Sequence, residues 1–134
     1  MNMTSMIFYV CPLCGNVLGT IYSSGVIPAC CGKPMQTLEP GVTDGDLEKH
    51  IPFVTKEADN TLRVRVGSIA HPMTKEHYIE WILLHTSRGN YRKVLNPGEA
   101  PETVFRLTED ERPLEVLAYC NIHRLWKMTL PPVG

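Results

Sequence analysis

No segment of this 134-residue sequence is long and apolar enough to span a bilayer, although 43% of its residues are hydrophobic. The first ten residues, MNMTSMIFYV, contain neither a basic stretch, nor an apolar core of signal-peptide length, nor a small-residue cleavage site. We therefore expect a cytoplasmic protein that has no membrane partner.

An excess of charge of one sign is also missing. The 13 basic and 14 acidic residues give a formal net charge of −1, so no overall basic field favours nucleic acid as a partner. Internal repeats, low-complexity tracts and convincing amphipathic helices are absent as well. We therefore expect a protein built of short β-strands.

Short alternating segments with Gly, Pro and Asn between them predict an antiparallel β-sandwich from about residue 42 onward. Residues 61–70 alternate most cleanly, with Leu62, Val64 and Val66 on one face. Further strands are predicted at residues 78–86, 114–119 and 124–130. A stretch rich in Pro, Gly and acidic residues, 37–46, predicts the join to a smaller N-terminal module.

Three large side chains in these strands are predicted to be structural. Trp81 and Trp126 have the positions of sandwich core residues rather than of a cofactor site. His85 lies inside the apolar run ILLHT and is predicted to be a structural histidine.

Four histidines and one cysteine lie at predicted loop positions instead: His50, His71, His77, Cys120 and His123. Five such donors are one more than the tetrahedral set that zinc takes, and they fit iron with an open coordination position better. An open position at a redox metal implies chemistry on a small ligand.

The spacing of these donors supports one site. His71 and His77 bracket HPMTKEH, and Cys120 and His123 bracket CNIH, each between two predicted strands. Pro72 restricts the residue before it to extended geometry, which limits how His71 presents its ring. A single histidine or free cysteine is usually structural, so it is the combination of these five donors that indicates a metal site.

The remaining cysteines form a second cluster in CPLCGN and ACCGKPM: Cys11, Cys14, Cys30 and Cys31. Four thiols at this spacing predict a tetrahedral sulfur site for zinc or iron. Cys30 and Cys31 are adjacent, so the backbone between them must be twisted for both to reach one ion. A module of about forty residues buries little apolar surface and is expected to need its metal to fold.

These motifs, together with EKH at residues 48–50, resemble the superoxide reductase family, in particular its two-iron type, desulfoferrodoxin. The resemblance covers nearly the whole chain. It implies an all-β protein with a desulforedoxin-like module at residues 1–38 and an immunoglobulin-like antiparallel β-sandwich at residues 39–134. It also implies two non-haem irons per chain, one at the four cysteines and one at the histidine site.

The resemblance further implies a function, the one-electron reduction of superoxide to hydrogen peroxide without release of dioxygen. The four matching histidines would bind iron in a plane, with Cys120 on one axial side and superoxide on the other. The matching Lys49 would aid superoxide binding, and the matching Glu48 would ligate the oxidised iron after turnover. A rubredoxin-like electron donor, a homodimer and a role in cytoplasmic superoxide detoxification are implied as well.

Charge supports this interpretation of the residues. Four neutral imidazoles and one thiolate leave a ferrous site with a net positive charge, which attracts an anionic substrate. The thiolate donates electron density toward the open position, as it does at haem iron.

Two functions from other classes compete with this interpretation. A pure electron carrier would use the four-cysteine site and leave the histidine cluster without a role. A zinc-stabilised binding module would hold only structural metals and carry out no redox chemistry.

Overall fold

The structure, a computed structural model, describes residues 6–41 and 47–130, with side chains from residue 49 in the second range. The chain divides into two compact units, Met1–Glu39 and Pro40–Gly134. Part of the predicted join at residues 37–46 lies outside the described residues. Across the described ranges, no helix is both long and apolar enough to cross a membrane.

The first unit consists of very short strands. They are β1 (Phe8–Val10), β2 (Val17–Gly19), β3 (Ala29–Cys30), β4 (Lys33–Pro34) and β5 (Gln36–Thr37). β1 pairs with β2 on one side and β5 on the other, and β3 and β4 form a separate hairpin, all antiparallel. A small core cluster of Tyr9, Cys11 and Met35 lies between them.

The described part of the second unit contains one short helix and seven strands. They are α1 (Leu47–His50), β6 (Pro52–Glu57), β7 (Thr61–Val66), β8 (Ile79–Thr86), β9 (Asn90–Val94), β10 (Glu102–Arg106), β11 (Pro113–Cys120) and β12 (Arg124–Thr129). One sheet has the order β10-β7-β6 and the other the order β12-β11-β8-β9, with every pair antiparallel. The predicted all-β class and the immunoglobulin-like sandwich are therefore confirmed.

The sandwich core lies between the inner faces of these two sheets. The predicted alternation of β7 is confirmed, because Leu62, Val64 and Val66 are at most 3% exposed. β7 ends at Val66, four residues before the end of the predicted segment, because the chain turns at Gly67 with a φ of +86°. Apolar burial of this kind contributes roughly 25 cal/mol per Å² and stabilises the sandwich.

A β-bulge in β8 changes which of its side chains face the core. Tyr119 pairs with Trp81 and the next residue, Cys120, pairs with Ile79, so Glu80 is the extra residue. As a result Ile79 and Ile82 are both fully buried.

Trp81 therefore lies on the outer face of the sheet, where its ring stacks on that of Tyr119 at 5.5 Å. The prediction of Trp81 as a core residue was wrong, because the bulge shifts the inward–outward alternation by one position. The structural role predicted for His85 is confirmed, since its Nδ1 lies 3.0 Å from a carboxylate oxygen of the buried Glu115.

Candidate metal centres

The five predicted histidine and cysteine donors converge on one place in the second unit. α1 supplies His50, and the connection from β7 to β8 supplies His71 and His77. The end of β11 supplies Cys120, and the turn that follows it supplies His123. One donor atom from each of them lies within 4.8 Å of all the others. A left-handed Arg124, with a φ of +63°, directly follows His123 and completes the tight turn.

The nitrogen–nitrogen distances fit a shared metal ion. His50 Nε2 lies 3.0 Å from His71 Nε2 and 3.0 Å from His123 Nδ1. Metal–imidazole bonds of about 2.0–2.1 Å put two nitrogens at right angles roughly 3.0 Å apart. The two distances therefore match neighbouring ligands on one ion.

The four imidazole rings follow one another around a quadrilateral. Neighbouring ring centroids are 4.5 Å apart for His50 and His71, 4.7 Å for His71 and His77, 5.1 Å for His77 and His123, and 4.7 Å for His123 and His50. The diagonal from His50 to His77 is 6.4 Å. A square with sides of this length has a diagonal of similar size, so the rings surround a common centre.

His71 has a defined tautomer. Its Nδ1 lies 2.7 Å from the carbonyl oxygen of Pro72, which can only accept a hydrogen bond, so Nδ1 carries the proton and Nε2 presents a lone pair to the cluster. Burial lowers the pKa of His71 to about 4 and outweighs the hydrogen bond to Pro72, which favours the charged form. The ring is therefore neutral, the form that binds metal, at physiological pH.

His77 provides a separate indication that a cation belongs here. Its Nε2 atom is buried and has no hydrogen-bond partner. A buried polar nitrogen without a partner is costly, and a metal ion at the centre of the cluster would satisfy it. Burial, followed by the charges of His123 and Lys49, lowers the pKa of His77.

Cys120 is fully buried, and its sulfur lies 3.9 Å from His123 Nδ1. Burial raises the pKa of the thiol, although the backbone N–H groups of His123 and Ile122 point at the sulfur and favour the thiolate. A cation at the cluster would complete the stabilisation of the thiolate.

The contribution of Trp126 to this site was missed from the sequence. Its ring stacks on that of His50, with centroids 4.7 Å apart, and its Nε1–H donates to the carbonyl oxygen of His123 over 2.9 Å. Trp126 is 1% exposed, as predicted for a core residue, but it also fixes two of the five donors. No periodicity in the sequence reveals this second contact.

Lys49 directly precedes His50 in α1, and its charge reaches the cluster strongly enough to lower the pKa of His77, after burial and the charge of His123. The side chain of Glu48 lies outside the described residues.

The four predicted cysteines of the first unit also converge, with their sulfurs all within 4.8 Å of one another. Cys30 Sγ lies 3.6 Å from Cys14 Sγ and 4.0 Å from Cys31 Sγ. Metal–sulfur bonds of about 2.3 Å in a tetrahedron place sulfurs roughly 3.8 Å apart. These distances fit a shared ion and are far too long for a disulfide bond.

The local backbone explains how these cysteines reach one point. The N–H of Cys14 donates to Cys11 Sγ over 3.4 Å, and Gly15, with a φ of +81°, then turns the chain so that the carbonyl oxygen of Asn16 accepts from the N–H of Cys11 over 2.8 Å. Cys31 adopts a φ of +53°, which a residue with a side chain rarely does. This twist of the backbone lets the sulfurs of the adjacent Cys30 and Cys31 reach the same cluster. The expectation that the adjacent pair must be twisted is confirmed.

The pKa values of the cysteines in this cluster also fit a cation-binding site. Hydrogen bonds from the backbone N–H groups of Cys14 and Leu13 lower the pKa of Cys11 to about 6. Hydrogen bonds shared with Cys14, Cys11 and Cys30 raise the pKa of Cys31 to about 12, and contacts with Cys14 and Cys11 raise that of Cys30. The Cys11 thiolate is therefore favoured without metal, whereas Cys30 and Cys31 need a cation to lose their protons.

Comparison with known proteins shows the family of this chain. Residues 42–129 match the family model described as desulfoferrodoxin. A desulfoferrodoxin of Nitratidesulfovibrio vulgaris is 43% identical over 89% of this chain and 92% of its own length. A superoxide reductase of Thermococcus kodakarensis is 36% identical over 69% of this chain and 92% of its own length.

A solved structure agrees with both sequences. The crystal structure of the superoxide reductase from Treponema pallidum superposes on this chain with a TM-score of 0.78 and 36% sequence identity. The match covers 94% of this chain and the whole of the Treponema chain. This chain is therefore an oxidoreductase, and it belongs to the desulfoferrodoxin family.

Proposed function

We propose that this chain reduces superoxide to hydrogen peroxide at iron held by the cluster of His50, His71, His77, Cys120 and His123. Superoxide takes up one electron and two protons, and no dioxygen is released. The observation that carries the proposal is the convergence of five donor atoms, among them the buried and unpartnered His77 Nε2. The names of the similar superoxide reductases support the substrate.

The donor set suits iron better than zinc, because five ligands exceed the tetrahedral preference of zinc. Ferrous iron bound there would supply the single electron. The Cys120 sulfur, held by two backbone N–H groups, is the anionic donor of the set, while the imidazoles contribute no charge. Because only one ligand is negative, a ferrous ion bound there would keep a net positive charge, and this charge would attract an anionic substrate.

Lys49 is assigned to substrate attraction and Glu48 to ligation of the oxidised iron after turnover. The effect of the Lys49 charge on His77 supports a position close enough to act on an arriving anion. An ammonium group is also a hydrated source of protons, of which each turnover consumes two.

A second iron is proposed for Cys11, Cys14, Cys30 and Cys31, which gives two irons per chain. The spacing of about 3.8 Å expected in a sulfur tetrahedron supports a single ion at this cluster. The domain assignment follows, with residues 1–38 as the desulforedoxin-like module for electron transfer and residues 39–134 as the superoxide reductase domain.

The cellular setting belongs to the same proposal. We assign the protein to superoxide detoxification under oxidative stress in the cytoplasm, where thiols stay reduced, as all five cysteines of this chain are. A rubredoxin-like protein is proposed as the electron donor and a homodimer as the assembly.

Pulse radiolysis of the iron-loaded full-length protein tests the reaction. We expect a fast bimolecular reaction with superoxide that yields hydrogen peroxide, together with a visible absorption band from the bond between Cys120 and ferric iron. Cys120→Ser should remove both the band and the reaction, and His77→Gln should weaken both.

His85→Gln is the matched control, because His85 is a histidine of the same domain that pairs with Glu115 instead of joining the cluster. It should leave both the band and the rate unchanged. Undiminished superoxide reduction by Cys120→Ser would refute the proposed site.

A further inference from the structure

The two loops that supply His71, His77, Cys120 and His123 are joined by a side chain that is not itself a donor. Asn121 follows Cys120 directly, and its side chain reaches the backbone on both sides of His77. Its Oδ1 accepts a hydrogen bond from the N–H of Tyr78 over 2.9 Å, and its Nδ2 donates to the carbonyl oxygen of Glu76 over 3.0 Å. The backbone N–H of Asn121 adds a third bond, to the carbonyl oxygen of Tyr78, over 3.2 Å.

His77 depends on this connection for its position. Within its own loop, the backbone of His77 bonds only to Thr74, in both directions, and the Thr74 hydroxyl takes part as well. These bonds close a small turn, but they do not fix where the turn lies relative to the other donors. Among the described residues, the hydrogen bonds that tie this turn to the Cys120–His123 loop are those of Asn121.

The position of Asn121 in the sheet explains why a side chain is needed. The pairing of β11 with β8 ends at Cys120 and Ile79, after the bulge at Glu80. Beyond this point the chain turns toward His123, and the backbone can make only one more ladder bond. The side-chain amide of Asn121 has one acceptor and two donors. It therefore makes two hydrogen bonds to the segment before β8 at a point where strand pairing has ended.

We propose that Asn121 is a positioning residue of the five-donor site, which holds His77 at the distance from Cys120 that metal binding requires. The proposal rests on the proposed function, because it assumes that the cluster binds metal. Residues that orient metal ligands commonly change metal affinity by about tenfold to a hundredfold when they are replaced. Asn121 is exposed, so Asn121→Ala removes no core packing.

Cobalt competition on the full-length protein tests the assignment. Co²⁺ is bound to both sites and withdrawn by a chelator, while the absorption band that Cys120→Ser abolishes is followed separately from the bands of the four-sulfur site. Asn121→Ala should raise the dissociation constant for the Cys120-dependent band by on the order of tenfold to a hundredfold. The same variant should leave the dissociation constant of the four-sulfur site unchanged.

Asn96→Ala is the matched control, since Asn96 is an exposed asparagine between β9 and β10. It should leave both dissociation constants as in the wild type. The Tyr78 amide should lose protection from hydrogen exchange in Asn121→Ala but not in Asn96→Ala. This result would support the hydrogen bond from Tyr78 to Asn121 directly.

Equal cobalt affinity in Asn121→Ala and the wild type would overturn the role of Asn121 and leave the proposed function standing. A wild type without any Cys120-dependent cobalt band would overturn the proposed function, and the role of Asn121 with it.

Discussion

In the proposed five-donor site, individual side chains have two kinds of task, which are binding the metal or setting the charge and orientation of the residues that would bind it. Pro72 fixes the tautomer of His71 through its carbonyl oxygen, and Trp126 holds His50 through its ring and His123 through its N–H. Lys49 belongs to the second group, because its charge acts on His77 without any ligand atom of its own.

Lys49→Ala tests whether the charge of this single side chain attracts the substrate. We expect the second-order rate constant with superoxide to fall by about tenfold at low ionic strength, because an attractive charge near the site is lost. The dependence of that rate on salt should flatten, while the Cys120-dependent absorption band stays unchanged. Pulse radiolysis at several salt concentrations measures both effects.

Lys93→Ala is the control, because Lys93 is an exposed lysine on the edge strand β9. Its removal changes the net charge by the same amount and should leave the rate nearly unaffected. Identical rates for the wild type and Lys49→Ala would contradict the assigned role.

The donors could be predicted from the sequence because their chemistry resides in the residue type, and because the spacing of His71 from His77 and of Cys120 from His123 brackets short loops. The contacts of Trp126 and Asn121 could not, since they depend on which loops meet in space. A tryptophan in an alternating segment predicts a core residue whether or not a ligand lies beside it.

Among the elements, the connection from β10 to β11 is tied to the β8–β9 hairpin by one buried carboxylate, that of Glu111. The Tyr91 hydroxyl lies 2.7 and 2.8 Å from its two oxygens, and the Thr86 hydroxyl and the backbone N–H of Thr108 also donate to it. Burial opposes the charged form, but these hydrogen bonds outweigh it and lower the pKa of Glu111 below its ordinary value of 4.5.

Glu111→Gln should therefore destabilise the sandwich in a pH-dependent way. A lowered pKa stabilises the fold above the unfolded-state value of 4.5, and this contribution is lost as the pH falls through the lower folded-state value. At pH 7 we expect the free energy of unfolding to fall by about 2 kcal/mol, because donors to a charged group lose their partner. As the pH falls below 4.5 and through the lower folded-state value, the difference in the free energy of unfolding between variant and wild type should narrow.

Denaturant unfolding at pH 7 and at a pH well below 4.5 measures this effect. Glu109→Gln is the control, since Glu109 is exposed in the same connection and should change stability little at either pH. A deficit for Glu111→Gln that stays constant with pH would contradict the account.

The strands of the sandwich were largely predictable, because β7, β8, β11 and β12 carry clear apolar patterns. The bulge at Glu80 was not, since inserting one residue into a strand leaves no mark on composition. The strands of two or three residues in the first unit were also beyond prediction, because they are too short for any periodicity to be detected.

For the molecule as a whole, the two units differ in what holds them together. The core of the second unit contains a large cluster of buried apolar residues from both sheets, whereas the described core cluster of the first unit has Tyr9, Cys11 and Met35. We therefore expect a unit of this small size to need the metal proposed at its four cysteines to stay folded.

Metal removal should therefore unfold the first unit selectively. After chelation, we expect the amides of β1 to lose protection from hydrogen exchange, while those of β8 and β11 stay protected. Adding Zn²⁺ back should restore the protection of β1, because zinc fits a sulfur tetrahedron as well as iron does. Full protection of β1 in the metal-free protein would show that its fold does not depend on the ion.

The most direct test of the central claim is anomalous scattering at the iron edge from crystals of the protein purified with its metal. The account predicts an iron ion bonded to one nitrogen each of His50, His71, His77 and His123 and to the sulfur of Cys120. A map with no iron among these five atoms, or with iron bound by other residues, would contradict it.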